Sequence, residues 1–442
     1  MLKSFKVMLV PNNRQRTRLF QFAGAARFAY NWALRKEIDA YEADEKFISS
    51  YDMTKKFTVL KNSGEYPWLK SISSQATFQA VRDCADAYIK FFKKQSLRPR
   101  FKSKRRGDFS FYQATDKIKI TTTHVKLEAI ATSKRKNRQR LNWFRLAEHG
   151  RIPVGVKYFN PRITFDGLNW WLSVAVEFAD PKPAENCGEA LGIDLGIKNL
   201  ATCSDGTIYP NINRTSTVRR LKKKLRRLQR AISRKYEMNK NTRTLAGNLS
   251  LQSVMSNESS LDEIGRTEAG IRQAVVATLS PEQRQRSFSR KYEMNKKKGE
   301  SYKKTRNIIK SEQKLLRIHH RLANIRQNYR HQITSRIIGR KPNPIMLEDL
   351  NVRGMMSNRH LAKAVQEQGF YEFRRQIEYK AAWAGLRVVI ADRFYPSSKN
   401  CIACGHVKKN LHLSERIYHC EHCGNEIDRD LQAAINLKRY AS

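Results

Sequence analysis

Acidic residues are scarce in this chain: 40 Asp and Glu stand against 86 Lys and Arg in 442 residues, a formal charge of +46. That is far beyond the excess of an ordinary solvated surface. It asks for a polyanionic partner, nucleic acid before an anionic membrane, bound with strong salt dependence. Long apolar runs are also missing. Charges interrupt each one, so no segment spans a bilayer and no membrane partner is expected. Residues 1–11 hold only a short apolar run and no small-residue cleavage site; no signal peptide is read there, and a cytoplasmic location is expected. Cysteine is sparse and odd in number, seven in all. Without a signal peptide that argues against a disulfide framework. Cys84, Cys187 and Cys203 read as isolated thiols.

The other four are grouped. Cys401-x2-Cys404 and Cys420-x2-Cys423 are separated by 15 residues. Two short knuckles at that spacing offer four thiolates to a tetrahedral ion, the pattern of a structural Zn2+ ribbon, placed at about 397–427. The set of four is complete, so neither His406, His419 nor His422 is needed, and a closed site is not a catalytic one.

Few as they are, some carboxylates sit where they are costly. Leu191-Gly192-Ile193-Asp194-Leu195 and Ile345-Met346-Leu347-Glu348-Asp349 each place an acid in an apolar strand, which must be neutralised by something. Asp428-Arg429-Asp430 opens a helix with Leu431, Ala434 and Leu437 on its apolar face. An acid there can be no more than a helix cap; Asp194, mid-strand, has no such explanation. An Asp on a first strand, a Glu on a later one and an Asp on a final helix is the RNase H-like pattern. In it two Mg2+ ions serve phosphodiester cleavage, with Asp194 between them and Glu348 and Asp430 each completing one side.

Along the chain, residues 3–10 read as a strand, 14–40 and 73–94 as helices whose aromatic residues suit a core, and 162–178 as a hairpin. The length suffices for two or three domains. A β-rich module (about 1–10 and 98–182) encloses a helical one (about 11–97), and Pro181 to Glu189 is a linker. The second domain covers 186–442. It holds two basic helices, one after residue 208 with Leu221, Leu225, Leu228 and Ile232 as its apolar stripe, and one at about 301–338. Like charges this dense favour contact with an anion. Arg219, Lys223 and Arg227 on the first helix, and Lys102, Lys104 and Arg105 in the basic loop 101–106, are the candidate phosphate contacts.

One segment is foreign in character. The octapeptide SRKYEMNK occurs at 233–240 and again at 289–296. Residues 241–288 between the copies hold five Arg, five acidic residues and no Lys, a net charge of zero in a very basic chain. This reads as an insertion flanked by a duplicated target rather than a structural repeat.

The motifs GIDLGIKNLATCSDG (192–206), IMLEDL (345–350), FYPSSKNCIACG (394–405) and CEHCGNEIDRDLQAAINL (420–437), with RFAYNWAL (27–34), YPWL (66–69) and RPRFKSKRRGDFSF (98–111), resemble the TnpB (OrfB) family of single-strand-transposing insertion sequences, relatives of the type V CRISPR nucleases. The resemblance covers nearly the whole chain apart from 241–288. It implies α/β plus β-barrel architecture: an RNase H-like (RuvC) nuclease domain with an inserted zinc ribbon, preceded by a β-rich wedge domain with a helical recognition insertion. It implies a metal-dependent DNA endonuclease with Asp194, Glu348 and Asp430 as its triad, the second acid of Asp428-Arg429-Asp430 being preferred. The implied partners are a noncoding guide RNA from the element's end and a double-stranded target. Base pairing would read the target, and the protein a short motif beside it, with Tyr51 and Gln79 at positions like those of motif contacts. Gln432 replaces the family's usual Asn and leaves the acids intact. A nuclease-silent RNA-guided repressor would need a broken triad. A strand-joining transposase would need a His-x-His site, which the sequence lacks. An accessory protein crippled by the insertion is the remaining alternative.

Overall fold

The structure is a computed structural model describing residues 1–104, 107, 109–128, 130, 140–185, 187–238, 304–412 and 415–440. Arg105, the insertion 241–288 and the second SRKYEMNK copy lie outside the described residues. The chain folds as two compact units, Met1–Asp180 and Pro181–Ser442.

The first unit begins with β1 (Leu2–Val10), α1 (Asn13–Glu42), α2 (Ser50–Asn62) and α3 (Ser74–Phe92). It continues through β2 (Ser110–Tyr112), β3 (Lys119–Ile120), β4 (His124–Lys126), β5 (Trp143–Leu146), β6 (Tyr158–Phe165) and β7 (Trp170–Glu177). The strands form one antiparallel sheet, β2-β6-β7-β1-β5-β4-β3. Along β7, Trp170, Leu172, Val174 and Val176 are buried and the residues between them are not, the period-2 pattern of a sheet with one face on a core. Asn12 caps α1 in a capping box with Gln15. The Gln15 amide also donates to the Leu141 and Trp143 carbonyls, tying the helix start to β5.

The expected β-barrel is not formed. The two edge strands, β2 and β3, do not pair, and the sheet stays open. Helices bury its apolar face instead of the sheet closing on itself: Phe22 of α1 meets Phe111 of β2 at 5.3 Å, and Phe20 stands edge-on to Trp170 at 5.0 Å. Edges two and three residues long leave little backbone to pair in any case.

The second unit carries a mixed sheet of β8 (Leu191–Asp194), β9 (Asn199–Cys203), β10 (Ile208–Pro210), β11 (Ile345–Glu348) and β12 (Val388–Ala391). The order is β10-β9-β8-β11-β12; β9 runs against both neighbours, and β8, β11 and β12 are parallel. Its helices are α4 (Ser216–Glu237), α5 (Arg306–Gly339), α6 (Val352–Ser357), α7 (Ala362–Gln368), α8 (Phe370–Ala384) and α9 (Arg429–Tyr440). Between β12 and α9 the chain makes the small hairpin β13 (Ile417–His419) and β14 (Glu426–Asp428).

Both faces of the parallel strands are covered, so their sequences are apolar throughout rather than alternating. Ile193, Ile345 and Leu347 join a core with Ile333 and Ile337 of α5 and Phe373 and Ile377 of α8. Met346 packs with Leu437 of α9 on the other side. Because side chains alternate, Gly192 and Asp194 of β8 and Glu348 of β11 share Met346's face, the one α9 covers.

Gly192 lets α9 lie there. A Cβ on it would stand 2.0 Å from the Ala434 carbonyl oxygen and 2.5 Å from the Lys438 amide nitrogen. Both are helix backbone, which cannot turn aside as a side chain could. Gly192→Ala should therefore lift α9 from the sheet and destabilise the unit by about 3 kcal/mol, a fall in Tm of roughly 6–12 °C for a unit of this size. Calorimetry of the full chain checks it; an unchanged melting temperature would contradict this packing.

Candidate active site

The register continues past the last recorded pair. Leu347 of β11 stands opposite Ile193 of β8, so the next residues, Glu348 and Asp194, end two adjacent parallel strands. The start of α9 brings Asp430 over the same place. The grouping is electrostatically uncomfortable. Burial first, then the charges of Glu348 and Asp430, push the Asp194 carboxyl well above the usual carboxylate range, with Arg429 opposing. Burial raises Glu348 as well, offset by a hydrogen bond from Ser397.

The neighbouring acids behave differently. Asp349, beside Glu348, turns away and is held by Arg393 and Arg374, with contacts of 2.5 and 2.8 Å that pull its carboxyl below the usual range. Asp428 accepts from the backbone N–H groups of Asp430 and Leu431 at 2.9 and 3.1 Å. It is the helix cap, which leaves the Asp430 side chain to face the cluster. In each pair of neighbouring acids one, Asp349 or Asp428, is thus taken up by arginines or helix amides, and the other, Glu348 or Asp430, is left to the cluster.

The three carboxylates meet the demands of hard divalent cations, oxygen donors with uncompensated negative charge. Their oxygens do not converge on a single point. Among the described residues only the four cysteines gather donor atoms within 4.8 Å of one another.

Ser397 is a site residue the sequence reading missed. It is 5 % exposed, and its hydroxyl donates to Glu348 Oε1. Its loop is clamped by α9. Asn436 Nδ2 donates to the Ser397 and Asn400 carbonyls at 2.7 and 2.6 Å, and Gln432 Nε2 to the Ser398 carbonyl at 3.2 Å. Gln432 is therefore a structural clamp in this chain, a task its amide shares with Asn436 one turn on. Nothing in the string PSSKN marks the first serine as different from the second. Removing the hydroxyl should loosen the Glu348 rotamer. Ser397→Ala is expected to weaken Mn2+ binding about 10- to 100-fold, read by titration calorimetry, with Ser397→Thr restoring it. Equal affinity in the alanine variant would rule the contact out as a support.

The four cysteine Sγ atoms all lie within 4.8 Å of one another. Sγ of Cys401 and Cys423 are 3.7 Å apart, and those of Cys404 and Cys420 3.6 Å. Those spacings are far longer than a disulfide bond and match the edge of about 3.8 Å that four Zn–S bonds of 2.3 Å generate. The knuckles repeat each other: Gly405 and Gly424 follow the second cysteine of each with φ of 73° and 72°. The Gly405 and Gly424 amides donate back to the Cys401 and Cys420 carbonyls, both at 3.0 Å. Charge within the set is shared unequally: the Cys420 thiol is lowered to about 6, chiefly by the Cys423 backbone N–H, while the Cys423 thiol is pushed up to about 12 by its cysteine neighbours. His406 and His422 stack on each other at 5.7 Å, and His419 pairs with Glu426 at 3.3 Å.

The other candidates are spread over both units. On α4, Arg219, Lys223 and Arg227 are exposed one turn apart, a row about 12 Å long. The helix turns its apolar stripe, Val218, Leu221, Leu225 and Leu228, toward Ile318, Leu322 and Ile325 of α5. In the first unit, Tyr51 is exposed on α2 with Lys55 Nζ 4.3 Å from its ring centre. Gln79 donates to Asp83 at 3.1 Å, and Asp83 is gripped by both ends of the Arg162 guanidinium. Lys102 Nζ lies 3.8 Å over the Tyr30 ring; Lys104 is exposed. Among the described residues no helix is long and apolar enough to cross a membrane.

Family models match three stretches of the chain: an OrfB IS605 helix-turn-helix domain at residues 1–46, an OrfB IS605 probable transposase at 173–251, and a Cas12f1-like TNB domain at 370–437. Residues 1–46 here form one strand and one long helix rather than a helix-turn-helix. The chain is 27 % identical to "Putative RNA-guided DNA endonuclease InsQ" of Escherichia coli K12 over 99 % of its length and 91 % of that protein's. It is 27 % identical to a Streptomyces pristinaespiralis protein of the same description, over 98 % and 88 %. A Cas12f1 chain from a complex with guide RNA and target DNA superposes with a TM-score of 0.51 at 12 % identity, covering 99 % and 98 % of the two chains.

Proposed function

The chain belongs to the TnpB (OrfB) family of IS605-type elements, and from that premise we propose that it is an RNA-guided DNA endonuclease cutting through a two-metal RuvC-like centre at Asp194, Glu348 and Asp430. The observation that carries the reading is that acids from β8, β11 and α9 stand at one face of the sheet, near enough for Glu348 and Asp430 to act on Asp194 by their charge. The strand order, 3-2-1-4-5 with only the second strand reversed, supports an RNase H-like assignment for the second unit. Bound Mg2+ ions would supply a polarised water and neutralise charge at the leaving oxygen. The protein's part is positional: Asp194 stands between the other two acids, Ser397 fixes Glu348, and Asp428 caps α9 so that Asp430 faces inward.

The exposed basic face of α4 supports guide RNA or heteroduplex binding, by phosphate contact and not by sequence. The first unit is read as wedge and recognition modules, with Tyr51 and Gln79 toward the target-adjacent motif. Zn2+ is read as structural, held by Cys401, Cys404, Cys420 and Cys423. The guide is read as coming from the element's own end.

The test is to co-express the chain with the DNA flanking its gene, sequence the RNA that copurifies, and challenge the complex with a guide-matched plasmid library in Mg2+. Guided cleavage beside a fixed short motif is expected. Bound RNA without cleavage would leave a guided binding protein, and no bound RNA would end the guided reading.

A further inference from the structure

Phe394 is the most exposed large hydrophobic side chain among the described residues, at 87 %. An exposed phenylalanine on a floppy loop would mean little, but this loop is pinned on both sides. Arg393 is bound through two guanidinium nitrogens to Asp349, at 3.0 and 2.5 Å. Asp392 Oδ1 accepts from the Phe394 amide at 2.8 Å, and the Asp392 carbonyl from the Tyr395 amide at 3.1 Å. The Tyr395 hydroxyl donates to the Asn436 carbonyl of α9 at 3.1 Å, and its ring stands edge-on to Tyr440 at 4.8 Å. Of three consecutive side chains, the outer two are held by partners and the middle one stands out in solvent.

Its position matters as much as its exposure. Three residues on, Ser397 donates to Glu348. Three residues of chain span at most about 10 Å, so Phe394 belongs to the short loop whose Ser397 reaches the acid cluster. One residue back, Arg393 is bonded to Asp349, the neighbour of Glu348. An exposed aromatic ring on a hydrogen-bonded loop that leads to a set of carboxylates, in a chain of charge +46, is matched in chemistry by an unpaired base, whose face stacks on the ring while its backbone passes the acids.

We infer that Phe394 is a base-stacking contact for the single DNA strand entering the site, seating the nucleotide next to the bond to be cut. The inference rests on the nuclease reading of the acids but concerns binding, so it can be tested apart from cleavage. Stacking of one base on one ring is worth about 5- to 100-fold in affinity.

The experiment uses the full RNA-loaded chain carrying Asp194→Ala, so that DNA is bound and not cut. Guide-matched target DNA is prepared with 2-aminopurine at successive positions in each strand. At one or two adjacent positions the fluorescence should be quenched on binding. Phe394→Ala should abolish that quench and weaken capture of a short single strand about 5- to 100-fold, leaving copurified RNA unchanged. Phe394→Trp should restore both, and Phe394→Leu neither. With Asp194 intact, Phe394→Ala should raise KM by a similar factor and change kcat little. Identical quenching profiles in the parent and Phe394→Ala would overturn the inference, as would rescue by leucine equal to that by tryptophan. A chain that never cuts guide-matched DNA but shows the Phe394-dependent quench would instead overturn the nuclease reading alone.

Discussion

Asp194→Ala is expected to lower guided DNA cleavage by at least about 10³-fold, since the several kcal/mol of charge stabilisation at the reacting phosphate depend on it. RNA content and zinc content should not change. The same substitution should raise stability in metal-free buffer, because Asp194 is held in an unfavourable place. Its folded pKa lies above its unfolded one, through burial and the charges of Glu348 and Asp430. The folded state therefore holds a proton the unfolded state has lost over the interval between the two values. Stability from this group is complete below the unfolded carboxylate range near 4 and is lost as pH rises through the raised folded value. Divalent cations compete with that proton and remove the repulsion. Mg2+ or Mn2+ should thus raise Tm more at pH 8 than at pH 5, and the increment should vanish in Asp194→Ala. A pH-independent increment in the wild type, or one that persists in the variant, would place the ions elsewhere. A fully active Asp194→Ala protein would dismiss the proposed centre.

Where the sequence was informative and where it was not follows from how each feature is encoded. Asp194 and Glu348 stood out because an acid inside an apolar strand contradicts its own neighbourhood, and the contradiction is visible without knowing what lies opposite. The four cysteines carry their spacing in the string. Helix α1 and the β6–β7 hairpin were legible from periodicity, and their observed bounds differ from the expected ones by only a few residues. Helix α2, by contrast, was not read. Of its 13 residues only Met53 and Phe57 are buried, too few to set up a stripe. The barrel that the resemblance implies is not legible or refutable in the strands themselves, because closure depends on whether edges meet, and that is decided by helices α1 and α3 covering the face, not by anything within a strand. The separation of Asp428 from Asp430 could be weighed but not resolved by residue type. It is the hydrogen bonds of the first turn that make one a cap and free the other. Ser397, Gln432 and Asn436 were invisible for the same reason. Their roles consist of contacts across 34 to 49 residues of chain, and a serine or an amide makes such contacts without leaving a pattern.

Stripping zinc, or replacing Cys420 by serine, should disable cleavage as thoroughly as removing an acid, although no cysteine is proposed to touch DNA. The ribbon is joined to the site at both ends. On the entering side Ser397, which holds Glu348, precedes Cys401 by four residues, and Asn400 between them bridges to Val407 of the first knuckle. On the leaving side β14 ends at Asp428 and α9 begins at Arg429, so Asp430 follows the hairpin directly. The ribbon's own core is slight, Cys401, Tyr418 and Cys420 with Leu411 and Ile427 against it. A core of that size does not hold a fold by itself. Binding energies for structural zinc in small modules, roughly 10–16 kcal/mol, are large enough to supply what it lacks. One zinc per chain is expected by elemental analysis. Its removal with a strong chelator should lower Tm, abolish guided cleavage and expose residues 397–430 to proteolysis. RNA held by the basic face of α4 should stay bound, because that helix packs on α5 and not on the ribbon. Four thiolates leave no open coordination position, so added Mg2+ cannot compensate. A chelated protein that still cuts guide-matched DNA would show that α9 and the Ser397 loop hold the acids without the ribbon. A zinc-free protein that loses its RNA as well would place the ribbon in the guide-binding surface instead.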